Sequence, residues 1–402
     1  MTIADRWLLP DGMEELLPPR AYTLEALRRK LLDLLAAWGY DLVIPPSAEY
    51  LESLLTGVGK DLDLQTFKVT DQSSGRLMGV SADVTPQVAR IDAHSLSCEG
   101  EGIARLCYCH PVLRTRADNP LSSRSPIQLG AELFGHAGLP SDLEILSLML
   151  ATLEAAELDQ IHLDLGHVNI YRTLINQAQI DEQEAEAIFA ALQDKRFADL
   201  DTLLQAYVEC AQVRAHLTAL AHLHGDMRVL EQAKRDLQGA PESVQAALVQ
   251  LEQIAHWIQA SYPQVTLYFD LAELRGFNYH TGIMFAAYVP QWGQAIAKGG
   301  RYDETGKVFG RARPATGFSV DLKLLVALQE LQHPQTHQRK HLGVLAPVQA
   351  YTDAQLMHKI RALRAQGERV WVDLAGEGTK AHPACDRQWV QNAQGEWVIS
   401  PL

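Results

Sequence analysis

Leu24, Leu27, Leu31, Leu34 and Leu35 recur at three- and four-residue steps. That is the period of a helix with one apolar face, and it predicts a helix over residues 23–38. Gly39 ends it, and residues 40–44 read as a short strand stopped by Pro45-Pro46. Residues 67–70 and 77–80 flank a turn-rich stretch at 71–75, the pattern of an antiparallel hairpin. A helix over about 86–93 follows, then strands at 103–110 and 127–134 around a polar loop at 115–125. Residues 141–157 predict a second long helix and 160–165 another strand.

From about Asn169 to Ser261 the texture changes. Ala, Leu, Gln and Glu dominate and Pro241 is the only proline, so residues 169–261 form a helical insertion. Strand-like sequence returns at 265–270, 282–288 and 315–320, and a helix begins near Asp321. These parts make a core over residues 1–332. The polar stretch 333–341 reads as a linker. Residues 342–402 suggest a small α/β unit: strands at 342–345 and 370–372, a helix at 353–366, and a tryptophan-bearing tail. Hairpins on both sides of a helical insertion, without regular βαβ alternation, favour an α+β fold with a largely antiparallel sheet flanked by helices.

Composition narrows the function classes. The 402 residues exceed the roughly 250–300 at which single cores stop growing. With 47% hydrophobic and 21% charged residues the chain is not a disordered one. No window approaches the roughly 20 apolar residues of a membrane span. Thirty-five basic against 49 acidic residues give a formal charge of −14, which weighs against broad nucleic-acid binding. Five cysteines do not suggest a disulfide framework, and Met1 to Pro10 lacks a signal-peptide apolar core. A cytoplasmic protein is expected.

Four segments carry candidate chemistry. In the first, a strand delivers Asp83 and Thr85 into a turn that opens a helix. The pair suits an ammonium group, and it suits equally the capping of that helix. In the second, Gln128, Gly130 and Glu132 share one strand face, with Arg114 on the preceding strand expected opposite Gln128 or Glu132. An inward carboxylate is costly unless paired. The third and fourth segments, 274–282 and 298–303, each combine arginine, tyrosine and glycine and read as loops. Cys107-Tyr108-Cys109-His110 has no distant metal-ligand partner pattern, so its cysteines read as core residues rather than a metal site.

In order, these segments resemble the catalytic fold of class II aminoacyl-tRNA synthetases, and specifically histidyl-tRNA synthetases, over about residues 10–330. Val112-Leu113-Arg114 with Gln128-Leu129-Gly130-Ala131-Glu132 is similar to class II motif 2. Residues 275–282 resemble the histidine-specific RGLDYYTG loop, and Gly299-Gly300-Arg301-Tyr302-Asp303 the second such element. Residues 313–318 lead into what resembles motif 3. The resemblance implies a histidine pocket. Asp83, Thr85 and Gln128 would hold the α-amino group, Glu132, Tyr279 and His280 would face the imidazole, and Arg114 and Arg275 would lie toward the carboxylate. His280 departs from the family tyrosine.

The other departures cluster on ATP. Asp83 stands in Val80-Ser81-Ala82-Asp83 where the family has LRPE. Arg116 replaces the glutamate that would bind adenine, and Pro126 the phenylalanine that would stack on it. Lys323 replaces the arginine that would grip the γ-phosphate, and Asp321 replaces a glycine. Lysine does not substitute for a bidentate arginine. The combination resembles the regulatory subunits of short-form ATP phosphoribosyltransferase, a synthetase-derived family of histidine biosynthesis. That resemblance implies no catalysis and no cofactor. It implies a short-form catalytic subunit as partner in a hetero-octamer, a homodimeric core through motif 1 near residues 45–50, and L-histidine as feedback effector. Neither nucleic acid nor membrane is an expected partner. A divergent histidyl-tRNA synthetase would need ATP binding despite Arg116, Pro126 and Lys323, and a tRNA-sensing module would need tRNA affinity from an acidic chain.

Overall fold

The computed structural model describes residues 7–55, 60–96, 102–117, 122–272, 279–304, 312–334, 342–376 and 385–402. Contacts divide the chain into two compact units, Met1–Gln332 and His333–Leu402.

The strands of the first unit are β1 (Asp41–Leu42), β2 (Ala48–Tyr50), β3 (Lys68–Thr70), β4 (Leu77–Val80), β5 (Ala104–Pro111) and β6 (Ile127–Phe134). They continue with β7 (His162–His167), β8 (His224–Gly225), β9 (Thr266–Asp270), β10 (Ile283–Val289), β11 (Trp292–Arg301) and β12 (Ala315–Asp321). Nine of them form one sheet in the order β1-β5-β6-β12-β11-β10-β7-β9-β8, and β2-β4-β3 form a small second sheet. The large sheet is antiparallel through its centre. It is mixed rather than purely antiparallel, because β1 runs parallel to β5 and β7 parallel to β9.

The leucine spacing near the start does what it predicts. The helix Arg20–Ala37 buries Leu24, Leu27, Leu31 and Leu35 and packs on the helices Leu139–Ala155 and Leu322–Gln332. Each such leucine contributes about 1.5–3 kcal/mol by leaving water. On β6 the alternation separates two faces. Leu129, Ala131 and Leu133 enter the helix-covered core, which turns Gln128, Gly130 and Glu132 to the other side.

Register carries that second face across the sheet. Glu132 lies beside Gly317, Gly317 beside Gly300, Gly300 beside Met284 and Met284 beside Gly166. Neighbours directly opposite share a face. A Cβ on Gly317 would collide with the Glu132 carboxyl, and one on Gly300 would come within 2.8 Å of His280 Nδ1. These two glycines leave the floor open so that larger side chains can lie across it.

The insertion is helical, from Val168–Gln177 through Glu242–Ser261, with one interruption. The two-residue strand β8 pairs with β9 and joins the insertion to the sheet. A capping box between Asp181 and Glu184 starts the helix Glu182–Gln193.

Two stretches differ from their sequence reading. Residues 298–301, read as a loop, end the ten-residue strand β11, whose glycines hide the alternation that usually marks a strand. The tail of the second unit is also not irregular. After β13 (Gly343–Pro347) and β14 (Val370–Asp373), it forms a hairpin of β15 (Cys385–Gln391) and β16 (Trp397–Pro401). Its polar residues mask the period, but Trp389, Trp397 and Ile399 pack against the helix-bearing core of that unit. Asp353 caps the helix Ala354–Ala365 and accepts from Trp397 Nε1 at 2.6 Å.

Candidate functional site

Asp83 follows β4, at the entry to the helix Thr85–Arg90. Its Oδ1 accepts from the Thr85 backbone N–H at 2.9 Å and from Gln128 Nε2 at 3.0 Å. Gln128 Oε1 in turn accepts the Val84 N–H at 3.0 Å. Asp83 therefore both holds the turn and belongs to a polar cluster.

The cluster continues through Tyr108, a residue whose sequence neighbours read as core. Tyr108 on β5 donates to Glu132 Oε1 at 3.1 Å. Its single proton is thereby used, so the Thr85 hydroxyl 3.1 Å away is the donor to the Tyr108 oxygen. Tyr302 donates to the other carboxyl oxygen, Glu132 Oε2. The Tyr279 ring stacks on Tyr302 with centroids 4.9 Å apart. Asp83, Thr85, Gln128, Glu132 and Tyr279 are thus brought together, with Tyr108 and Tyr302 as the clamp on the carboxyl. The sequence gives neither tyrosine of the clamp a role, although Tyr302 lies in the second histidine-specific element. Tyr108 is visible there as the polar-tipped residue between two cysteines on the strand facing Glu132.

Glu132 is 1% exposed. Burial raises its carboxyl to about 8, against the opposing pull of its hydrogen bonds, that of Tyr302 first. Burial also pushes both tyrosines well above the usual phenol range. The carboxyl is therefore poised between neutral and ionised forms, and a donor or cation arriving beside it would favour ionisation.

His280 stands beyond this cluster. Its ring meets Tyr279 edge-on at 5.4 Å and lies over Gly300, at the border of a cavity of about 230 Å³ also lined by Asp164, Gly166, Met284 and Lys298. Burial lowers its pKa to about 4, so it is neutral near pH 7. Among the described residues its Nδ1 has no hydrogen-bond partner.

Arg114 is not opposite either predicted partner. The register places His110 against Gln128 and Leu106 against Glu132, because β5 ends before Arg114. Arg114 donates from Nε to Ala82 O at 3.3 Å and shares with Gln128 a separate cavity of about 300 Å³. Arg275 lies outside the described residues.

The second cavity gathers the ATP departures: Pro126, Asp321 and Lys323 line it with Arg114 and Lys298. Asp321 Oδ1 accepts the Ile127 N–H at 3.1 Å and the Lys323 N–H at 3.0 Å, tying β6 to the start of the helix Leu322–Gln332. Lys323 Nζ donates to Ser125 Oγ at 3.2 Å. Arg116 is exposed. Arg124 donates to Arg114 O at 3.1 Å and to Asp11 O at 3.0 Å. Groups standing where a phosphate grip is expected are bonded within the fold.

Arg301, read as part of a loop, is instead buried in a knot. It pairs with Asp142 at 2.9 Å and donates to Asp303 Oδ1, Ser141 Oγ and His136 O. Cys107 and Cys109 are raised to about 11 by burial, as unreactive core thiols are. Among the described residues, no helix is long and apolar enough to cross a membrane.

A family model described as histidyl-tRNA synthetase matches residues 12–325, and one for the ATP phosphoribosyltransferase subunit HisZ C-terminal domain matches residues 340–400. The chain is 54% identical, over 100% of both chains, to the ATP phosphoribosyltransferase regulatory subunit of Chromohalobacter salexigens. Among solved structures it is similar to an ATP phosphoribosyltransferase regulatory subunit/histidyl-tRNA synthetase from Bacillus halodurans. That likeness has a TM-score of 0.81 and 27% identity, covering 96% of this chain and 99% of the other. A chain of the ATP phosphoribosyl transferase (HisG:HisZ) complex from Thermotoga maritima shares the fold, with a TM-score of 0.57 and 17% identity over 77% of this chain and 98% of its own.

Proposed function

The chain belongs to the family of ATP phosphoribosyltransferase regulatory subunits, and from that membership we propose that the polar cluster around Glu132 is a sensor for free L-histidine. The family places the chain in histidine biosynthesis as a regulatory rather than a catalytic subunit. One contrast supports the finer reading. The Asp83–Gln128 and Thr85–Tyr108–Glu132–Tyr302 bonds gather acid, amide and hydroxyl groups into one cluster, while Asp321 and Lys323 bond to Ile127 and Ser125.

The chemistry of the cluster fits the ligand. Asp83 with Thr85 and Gln128 suits an ammonium, Glu132 suits an imidazole N–H, and Arg114 and Arg275 suit a carboxylate. Activating the amino acid would instead demand ATP held bent with its phosphates clamped. Histidine binding would favour one of two conformations and transmit that preference to a short-form catalytic subunit. The assembly would be a cytoplasmic hetero-octamer around a homodimeric core.

The test is to mix the chain with a short-form catalytic subunit and assay phosphoribosyl-ATP formation with and without L-histidine. Activation by the chain and inhibition by histidine are expected. Histidine-dependent exchange of pyrophosphate into ATP would overturn the reading in favour of a synthetase.

A further inference from the structure

Tyr302 and Arg301 are neighbours at the end of β11, and alternation sends their side chains to opposite faces of the sheet. Tyr302 holds Glu132 on the pocket face. Arg301 enters the helix-covered side and is 5% exposed. Any displacement of Tyr302 that admits a ligand to Glu132 therefore pulls on the backbone that carries Arg301.

Arg301 is anchored to Asp142, which is 0% exposed in the first turn of the helix Leu139–Ala155. The other oxygen of Asp142 is within 3.3 Å of Arg301 Nε and also accepts from Gln250 Nε2 at 2.9 Å. Gln250 belongs to the last and longest helix of the insertion, Glu242–Ser261.

The orientation of Gln250 is fixed from its far end. His167 Nδ1 accepts the Asn169 N–H at 3.3 Å, capping the first helix of the insertion. Its proton is consequently on Nε2, which donates to Gln250 Oε1 at 3.2 Å. Burial lowers the His167 pKa to about 4, so this neutral tautomer holds near pH 7. The Gln250 oxygen must then face His167 and its amide nitrogen must face Asp142.

The line Glu132, Tyr302, Arg301, Asp142, Gln250, His167 is continuous, and every polar link in it has a directed donor and acceptor. Such a buried network has few arrangements and resists partial ones. It reaches two helices of the insertion, through Gln250 in one and the His167 cap in the other. We infer that Gln250 is a positioning residue that transmits ligand binding at the Glu132 cluster to the helical insertion, taken as the surface that meets the catalytic subunit. This rests on the proposed histidine sensor.

The experiment uses the complex with the short-form catalytic subunit, and measures histidine affinity by calorimetry alongside inhibition of the transferase. Gln250→Leu removes both hydrogen bonds at nearly constant volume. Histidine affinity should stay within about twofold of wild type, while inhibition at saturating histidine should become partial, the residual transferase rate rising about several-fold. Inhibition equal to wild type would overturn the proposal. So would a parallel loss of affinity and inhibition, since that marks Gln250 as merely structural.

If Gln250→Leu fails to fold or assemble, Gln250→Glu takes its place, and the same outcomes support or overturn the proposal. It keeps an oxygen for His167 and replaces the donor to Asp142 with a second oxygen. A wild-type complex that binds no histidine at all would refute the sensor itself, which the calorimetry reports separately.

Discussion

The side-chain amide of Gln128 donates to Asp83 over 3.0 Å, joining β6 to the turn after β4 across 45 residues of sequence. Because its oxygen also accepts the Val84 N–H, the amide cannot flip without losing both bonds. Gln128→Leu would strand that N–H and release Asp83. An unsatisfied buried group costs about 1–3 kcal/mol, so histidine affinity of the assembled complex should fall by about ten- to a hundredfold. Calorimetric titration with L-histidine measures it.

Glu132 should matter more to inhibition than any other residue of the cluster. Glu132→Gln keeps the volume and one acceptor for the tyrosines. Glu132→Ala removes both acceptors and leaves the hydroxyls of Tyr108 and Tyr302 without the carboxyl they share. Half-inhibition of the transferase should shift to about tenfold more histidine in the first and about a hundredfold more in the second. Equal inhibition in all three proteins would remove Glu132 from the sensor.

The same carboxyl makes stability depend on pH. Burial holds it at about 8 in the folded chain, while a solvated glutamate titrates near about 4.3. Between those values the folded state keeps a proton that the unfolded chain has shed. The contribution of Glu132 is therefore fully present below about 4.3 and is lost as pH rises through 8. His167 and His280, both lowered to about 4, act oppositely: their stability is present above about 6.5 and lost as pH falls toward 4. Urea unfolding from pH 4.5 to 8 isolates the glutamate when wild type is compared with Glu132→Gln, against which wild type should weaken steadily with rising pH.

Asp321 is expected to matter for folding rather than for chemistry. Asp321→Ala leaves the N–H groups of Ile127 and Lys323 without their shared acceptor. The loss should be about 1–2 kcal/mol, the usual worth of a capping side chain, and readable in urea unfolding. Asp321→Gly restores the residue expected of a synthetase at this place, yet should give no pyrophosphate exchange, since Lys323 and Pro126 remain.

The residues that sequence reading places correctly are those whose signal is local. The first helix follows from leucine spacing, the hairpin at β3 and β4 from its turn, and the polar face of β6 from alternation at Gln128, Gly130 and Glu132. What it misses depends on partners distant in the chain. Arg301 looks like a loop arginine until Asp142, 159 residues away, is brought beside it. Tyr108 acquires a role because β5 and β6 set it one row from Glu132. Arg114 reads as part of a strand that ends a few residues earlier, and boundaries are where local pattern is weakest.

Arg124, near the end of the polar loop between β5 and β6, bridges the chain near Asp11 to the carbonyl of Arg114. With the bond from Lys323 Nζ to Ser125 Oγ, it fixes both flanks of that loop's end, so the loop's course is set from within the fold.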